Sequence, residues 1–295
     1  FGLGGAGCGT AVVLGAVGRS VKSANRTLAL GVVMAAGSFG QFIMVPLIGY
    51  LIELFGWSQS LIYLCFFAAI MIIFSFALNF SHKSESSKAG STQSVKEALK
   101  EAFQNKSFNL LTLGFFVCGF HVTFVAVHLP AFIEDEKLPF WVGGWALALI
   151  GLFNVVGTIY FGYLGDRLSK KNLLALLYSL RGLLFLIFIF LPKTELTVLV
   201  FSCILGILWL STVPLTSGII TVVFGPYYMS MLYGIAFFSH QVGSFLGSWL
   251  GGRLFDTYGS YDLMWWLCVL LGFISALMHA PIKEKAVNRL ITNEI

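Results

Sequence analysis

This chain contains nine stretches that are apolar over roughly the 20 residues a helix needs to cross a bilayer. They cover residues 1–18, 28–52, 58–80, 108–133, 140–164, 172–191, 195–224, 229–251 and 262–281. Backbone N–H and C=O groups cannot stay unpaired in hydrocarbon, so such runs must be helices packed on one another. They lack the in–out alternation of membrane strands and are too long for them. Only 11% of the residues are charged, against about 25% in a soluble domain. The reading is an all-α membrane protein.

Orientation follows from Lys and Arg, which concentrate on the cytoplasmic side. Numbering the gaps between spans in order, gap one holds Arg19, Lys22 and Arg26, and gap three holds Lys83, Lys88, Lys96, Lys100 and Lys106. Gap five, GYLGDRLSKKNLL, holds Arg167, Lys170 and Lys171, and the C-terminal tail holds Lys283, Lys285 and Arg289. The even gaps set Lys137, Lys193 and Arg253 against Glu53, Glu134, Asp135, Glu136, Glu195, Asp256 and Asp262. The odd gaps and the C-terminus are therefore expected in the cytoplasm, on a multi-pass protein of the cell (inner) membrane. Gap seven, GPYYMS, has no Lys or Arg and does not vote. The net charge of +5 reflects this anchoring and is no signal for nucleic acid.

Cys8, Cys65, Cys118, Cys203 and Cys268 each fall inside a span, without CxxC or a His at ligand spacing, and read as small apolar residues. Gly2-x-Gly4-x-x-Gly7 matches a dinucleotide fingerprint, but no strand precedes it and the first acidic residue is Glu53, well beyond the usual ~20 residues. No kinase, hydrolase or metal constellation is visible. The expectation is a protein that is not an enzyme and carries no cofactor or metal.

An internal repeat organises the spans. At a constant offset of 203 residues Gly31 meets Gly234, Gly40 meets Gly243, Gly49 meets Gly252, Gly56 meets Gly259 and Cys65 meets Cys268. Spans two and three thus repeat as eight and nine, and span one pairs with seven. Spans four to six have no partner in the chain, which begins with Phe1 inside an apolar run. The repeat implies a parent with about 95 to 100 further residues ahead of residue 1, giving twelve spans in two parallel six-helix halves. The expected divisions are 1–80 for the last three helices of the first half, 81–107 for a cytoplasmic linker, 108–282 for the second half and 283–295 for a cytoplasmic tail. Within the linker, SVKEALKEAF begins with Ser94 and Glu97 as a capping box. Val95, Ala98, Leu99, Ala102 and Phe103 share one face, as in a helix lying at the inner leaflet. HKSESSKAGSTQ, before it, reads as mobile.

GYLGDRLSKK resembles the short cytoplasmic signature of the major facilitator superfamily, a Gly-x-Leu-x-Asp-Arg-x-Gly-Arg-Lys pattern, with Ser169 where Gly is usual. FGLGGAGCGT resembles the glycine-rich fourth helix of that family, where close packing needs small residues. The stretches GFHVTFVAVHLPAFIED, GWALALIGLFNVVGTIYFGYLGDR, GILWLSTVPLTSGI and FFSHQVGSFLGSWLGGRLFDTYGSYD are similar to bacterial members of its monocarboxylate-porter and oxalate/formate-antiporter branch. The resemblance implies a helical bundle with about nine of twelve helices present. It also implies a secondary active transporter, here for a small organic anion such as a monocarboxylate, coupled to protons as a symporter and monomeric in the bilayer. Gly162, Gly165, Asp166, Arg167 and Lys170 would form the motif that steers inward–outward switching, with Asp166 capping the cytoplasmic end of a helix.

Ionisable residues inside a membrane are candidates for function. His121, Asn154, Arg181 and His240 lie about 10 to 13 residues from the inner ends of their spans, at one depth of roughly 15–20 Å. His121 and His128, seven apart, share a face with Phe124. His240 and Gln241 form a polar patch, and a His titrating near neutrality suits proton coupling. Thr216, with Ser211, Thr212 and Ser217, lies near Pro214, which should weaken its helix. The expected substrate-binding set is His121, Asn154, Arg181, Thr216, His240 and Gln241, with a structural, carbonyl-bonded Arg181 as the competing reading. In monocarboxylate porters an Arg one turn after the Asn154 position holds the carboxylate. Thr158 stands there, which keeps open an alternative of a neutral or amphipathic solute in efflux.

Overall fold

The structure, a computed structural model, describes residues 10–78 and 93–292, with the backbone alone at 71–78 and 291–292. The glycines of FGLGGAGCGT before residue 10, Cys8 and the stretch expected to be mobile lie outside the described residues. Among the described residues every long element is a helix. α1 is Thr10–Ser20, α2 Arg26–Leu78, α3 Val95–Gln104, α4 Lys106–Asp135, α5 Phe140–Gly165 and α6 Lys170–Phe190. α7 is Glu195–Leu208, α8 Thr212–Phe224, α9 Met229–Tyr258, α10 Asp262–His279 and α11 Asn288–Thr292.

Six of these stretches are long and apolar enough to cross a membrane, and they absorb seven of the nine runs because Ser23–Ile70 contains two. Those two are separated at Gly56, whose φ of 75° breaks α2 into limbs 26–55 and 57–78. The eighth run is the 30-residue α9, made less apolar by Ser239, His240 and Gln241. Gly259, the repeat partner of Gly56, ends α9 with a φ of 66°. Both positions need a left-handed backbone, which Gly adopts without a Cβ penalty.

Two pairings dominate: α4 packs along α9, and α5 lies between the first limb of α2 and α7. α6 packs on α10 and α8, and α1 rests on α9. The α4–α9 crossing is close because glycines line it. A Cβ on Gly243 would strike Phe116 O and reach Phe120 N at 3.1 Å; one on Gly247 would strike Phe120 O; one on Gly251 would strike the His128 ring. Gly119 answers from α4 against His240 O. A small-residue face at every fourth position lets two backbones touch where lipid gives no hydrophobic drive to associate.

The odd gaps and the tail share one end of the bundle. Asp166 meets Thr27, Arg19 donates to Ser230 at 3.0 Å, Tyr228 donates to Gln93 O at 2.5 Å and Lys283 N donates to Ser107 Oγ at 2.9 Å. Even-gap residues gather at the other end, where Lys193 donates to Phe188 O, Ile189 O and Leu191 O. Burial lowers the Lys193 pKa, while nearby Glu136 and Asp262 favour its charge.

α3 has the expected capping box: Ser94 N donates to Glu97 Oε2 at 2.7 Å and Glu97 N to Ser94 Oγ at 3.3 Å. Those Ser94 donors hold the Glu97 carboxyl below its ordinary pKa. Ala98 and Ala102 are buried, while Val95 and Phe103 are more than half exposed. The tail returns over this helix, with Arg289 bonding Glu101 at 3.3 Å and Phe224 O at 3.2 Å, and Val287 N bonding Val223 O at 3.0 Å.

Span seven departs from expectation. It is two helices, α7 and α8, separated at Trp209–Ser211. Pro214 is not the break. It is the third residue of α8, in a first turn whose N–H groups have no helical acceptor anyway.

Replacing Gly247 with Leu should force α4 and α9 apart and destabilise the protein by about 1–3 kcal/mol or more. The loss is expected as a lower midpoint of thermal unfolding in detergent. Gly144→Ala, where open space surrounds the added carbon, should leave that midpoint near wild type.

Candidate functional site

Two constellations hold the expected site residues: one at the basic end of the bundle, one at mid-depth. At the basic end Asp166 follows α5. Its carboxylate does not cap α5. Oδ1 accepts from Thr27 N and Oδ2 from Leu28 N, both at 2.9 Å, so it caps the start of α2 more than 130 residues away in sequence. The expected cap is present, and the helix it serves is α2: the orphan N–H groups that attract this carboxylate lie at the positive dipole end of that helix. Small residues permit the approach. A Cβ on Gly162 would lie 2.9 Å from Thr27 O and 3.2 Å from Leu28 Cα, and one on Gly165 2.7 Å from Thr27 Cγ2. Arg167 is exposed and stacks over Tyr163 at 4.1 Å. The stem of Lys170 lies over Gly218 of α8, where a Cβ would sit 3.0 Å from Cε.

A second carboxylate does for α6 what Asp166 does for α2. Glu284 Oε1, from the tail, accepts from Ser169 Oγ at 2.8 Å and Lys171 N at 2.7 Å. Ser169, which departs from the glycine of the resembled motif, supplies one of these donors. Glu284 was missed in the sequence, because a lone acid in a polar tail carries no spacing signal.

At mid-depth, Arg181 and Asn154 reach the α7–α8 break from opposite sides. Arg181 is fully buried, and its Nη2 donates to Leu208 O at 2.5 Å and Trp209 O at 2.6 Å. Nη1 points at Cys118 Sγ, 3.7 Å away, and the guanidinium carbon lies 5.3 Å from the Tyr178 ring. Among the described residues no carboxylate is within ion-pair distance of it. Asn154 is also fully buried. Its Oδ1 accepts from Leu210 N at 2.9 Å and its Nδ2 donates to Ser38 Oγ of α2 at 2.6 Å. Thr158 donates to Asn154 O at 2.7 Å and so faces its own helix. Ser38 escaped the sequence reading, since one Ser in a long apolar helix has no partner legible along the chain.

His240 is 6% exposed and stacks on Phe237 at 5.1 Å and against Phe115 at 4.9 Å. Its Nδ1 meets Gln241 Oε1 at 3.1 Å, and Gln241 is exposed. Nε2 of His240 has no direct partner. His121 is fully buried with both ring nitrogens unbonded, packed edge-on to Phe185 at 5.0 Å. It faces α6, away from the His240 patch. His128 is tied to Ser248 O at 2.8 Å and to the Tyr261 hydroxyl at 3.3 Å. Thr216 is buried one turn beyond Thr212 with its hydroxyl unbonded. Thr212 Oγ1 lies 3.2 Å from Cys118 Sγ, so this cysteine, expected to be a plain apolar residue, has polar company.

Removing the Asp166 carboxylate by Asp166→Ala strips two N–H groups of their acceptor, a cap worth about 0.5–2 kcal/mol. Opening at this end should rise by roughly 2- to 30-fold. The readout is alkylation of Thr27→Cys, at a side chain only 2% exposed, with the native cysteines replaced by alanine. Unchanged alkylation would separate Asp166 from closure of this end.

Comparison with known proteins agrees with this architecture. The family described as Major Facilitator Superfamily matches residues 1–248. The chain is 24% identical over 270 residues to the uncharacterized MFS-type transporter YcxA of Bacillus subtilis (strain 168), covering 88% of this chain and 65% of that protein. It is 28% identical over 293 residues to monocarboxylate transporter 12 of Mus musculus, covering 85% and 60%. Against monocarboxylate transporter 12 of Homo sapiens it is 28% identical over 296 residues, covering 85% and 56%. The chain thus spans 56–65% of the length of these curated relatives.

Proposed function

This chain belongs to the Major Facilitator Superfamily, and we propose that the protein carrying it moves a small organic anion, such as a monocarboxylate, across a membrane by alternating access coupled to protons. The observation that carries the reading is the Asp166 carboxylate seated on the first N–H groups of α2. It ties α5 to α2 at the basic end, while Asn154 to Ser38 and Gln41 to Leu147 O join the two helices farther along. Two groups of helices, 1–80 and 108–282, then part and rejoin about that contact, with 81–107 as the link and 283–295 as the tail. The end bearing Asp166 faces the cytoplasm, because Arg19, Arg26, Arg167, Lys170 and Lys171 cluster there. Gly162 and Gly165 set the approach, and Arg167 and Lys170 hold the turn at the membrane surface. The protein works as a monomer in the bilayer of the cell (inner) membrane.

The nearly buried His240 and the exposed Gln241 beside it form a polar patch at depth and are assigned the solute and proton contact. Thr216 and His121 lie at a similar depth, buried with unbonded polar atoms, with His121 turned toward α6. Arg181 and Asn154 act from behind it, since their donors are held by Leu208, Trp209 and Ser38. The anion class is supported by the names of the relatives and by the cation at depth. One observation favours a neutral or amphipathic solute instead: Arg181 Nη2 is already engaged by two carbonyls, and Thr158 stands where the resembled porters place an Arg.

The test reconstitutes the full-length protein in liposomes and follows labelled lactate and other short-chain carboxylates with and without a pH gradient. Uptake should be gradient-driven and should fall about tenfold in His240→Ala, the loss of one ~1.4 kcal/mol interaction. Absence of carboxylate uptake by folded protein would overturn the anion assignment in favour of the neutral solute.

A further inference from the structure

The break at Trp209–Ser211 leaves backbone groups without helical partners at a depth where water does not supply them. Several are met by a side chain or a tightened turn. Trp209 N retreats to Gly206 O at 3.1 Å. The carbonyls of Leu208 and Trp209 are held by Arg181, and the amide of Leu210 by Asn154 Oδ1. Glycines let α5 lie against the break: a Cβ on Gly157 would strike Ile207 O and stand 2.7 Å from Ser211 Oγ, and one on Gly206 would be 2.7 Å from Ile150 O.

Asn154 alone among these partners also touches α2. Its orientation is chemically forced. Leu210 N is a donor, so it must face Oδ1, which leaves Nδ2 to donate to Ser38. Ser38 in turn spends its own proton on Met34 O at 3.0 Å and offers Asn154 a lone pair. The amide therefore makes both bonds together only while α2 is docked. If α2 withdraws, Nδ2 is an unbonded donor in an apolar setting, and the side chain must turn to seek another acceptor, releasing Leu210 N.

We infer that the α7–α8 break is a hinge whose setting is read from the docking of α2 through Ser38, Asn154 and Leu210, with Arg181 as the fixed pivot. Asn154 is thus a positioning residue that converts the approach of α2 into the angle of α8, the helix bearing Thr212, Thr216 and Ser217. The idea presupposes the alternating-access reading, but its test uses no solute.

Hydrogen–deuterium exchange is measured on the full-length protein, comparing wild type with Ser38→Ala, Asn154→Leu and the control Ser60→Ala. Ser60 lies on the same long helix and bonds only Gly56 O. Both Asn154→Leu and Ser38→Ala should speed exchange in 207–213 by roughly two- to tenfold, the shift one net hydrogen bond produces. Ser60→Ala and the exchange of α10 should stay at wild-type values. Ser38→Ala is decisive and folds even if Asn154→Leu does not, because it removes a single hydroxyl and leaves the packing of the side chain otherwise unchanged. Wild-type exchange at the hinge in Ser38→Ala overturns the coupling and leaves Asn154 as a local cap. Loss of carboxylate uptake alone would strike the solute assignment and leave the hinge standing.

Discussion

Satisfaction of backbone hydrogen bonds in a medium without water governs this structure. A continuous helix meets the requirement by itself, so the informative places are those where the helices stop. At Gly56, Gly225 and Gly259 the chain turns through positive φ, which only glycine does without strain, and all three lie at the ends of apolar runs. At Trp209–Ser211 no glycine is present and the backbone breaks inside a run. The orphaned groups there are claimed by Arg181 and Asn154, two of the most polar side chains at that depth. Residues that look like misplaced charge and amide are the condition for a broken helix to exist in hydrocarbon.

At the basic end of the bundle the same rule is met by carboxylates. Asp166 seats on the start of α2 and Glu284 on the start of α6, each taking donors that a helix cannot satisfy internally. Glu97 caps α3 and Glu101 pairs with Arg289. Among the described residues the acidic side chains of this end are therefore committed to N–H groups or to one arginine. Exposed cations such as Arg167 remain to face the polar phase, so the positive bias of this end survives the presence of acids.

How far the sequence reached depends on the range of each signal. The helices were legible because apolar length is local, and so was the α3 capping box, a three-residue relation. The glycine repeat at offset 203 pairs Gly56 with Gly259, and both adopt a positive φ where their helices end. Asp166 was recognised as a cap, but its partner was not, since nothing in Thr27 or Leu28 marks their amides as the ones waiting. In span seven the sequence points to Pro214 as the weak place, where propensity is loudest, and does not announce a break. The break lies upstream at residues of ordinary propensity because tertiary partners hold it. Ser38 was invisible for the same reason: its meaning comes from Asn154 on another helix.

Arg181 shows how structural and functional roles compete for one side chain. Among the described residues no carboxylate balances its charge, yet it faces the carbonyl end of α7, where the helix dipole concentrates partial negative charge. One guanidinium nitrogen, Nη2, serves both adjacent carbonyls, while Nη1 turns to Cys118 Sγ. An anion that approached Arg181 would have to displace Leu208 O and Trp209 O, leaving both unpaired unless the hinge moved to re-pair them. The interaction that stabilises the break therefore also sets a threshold against binding, and that threshold falls only in an arrangement of α7 and α8 different from the one described here.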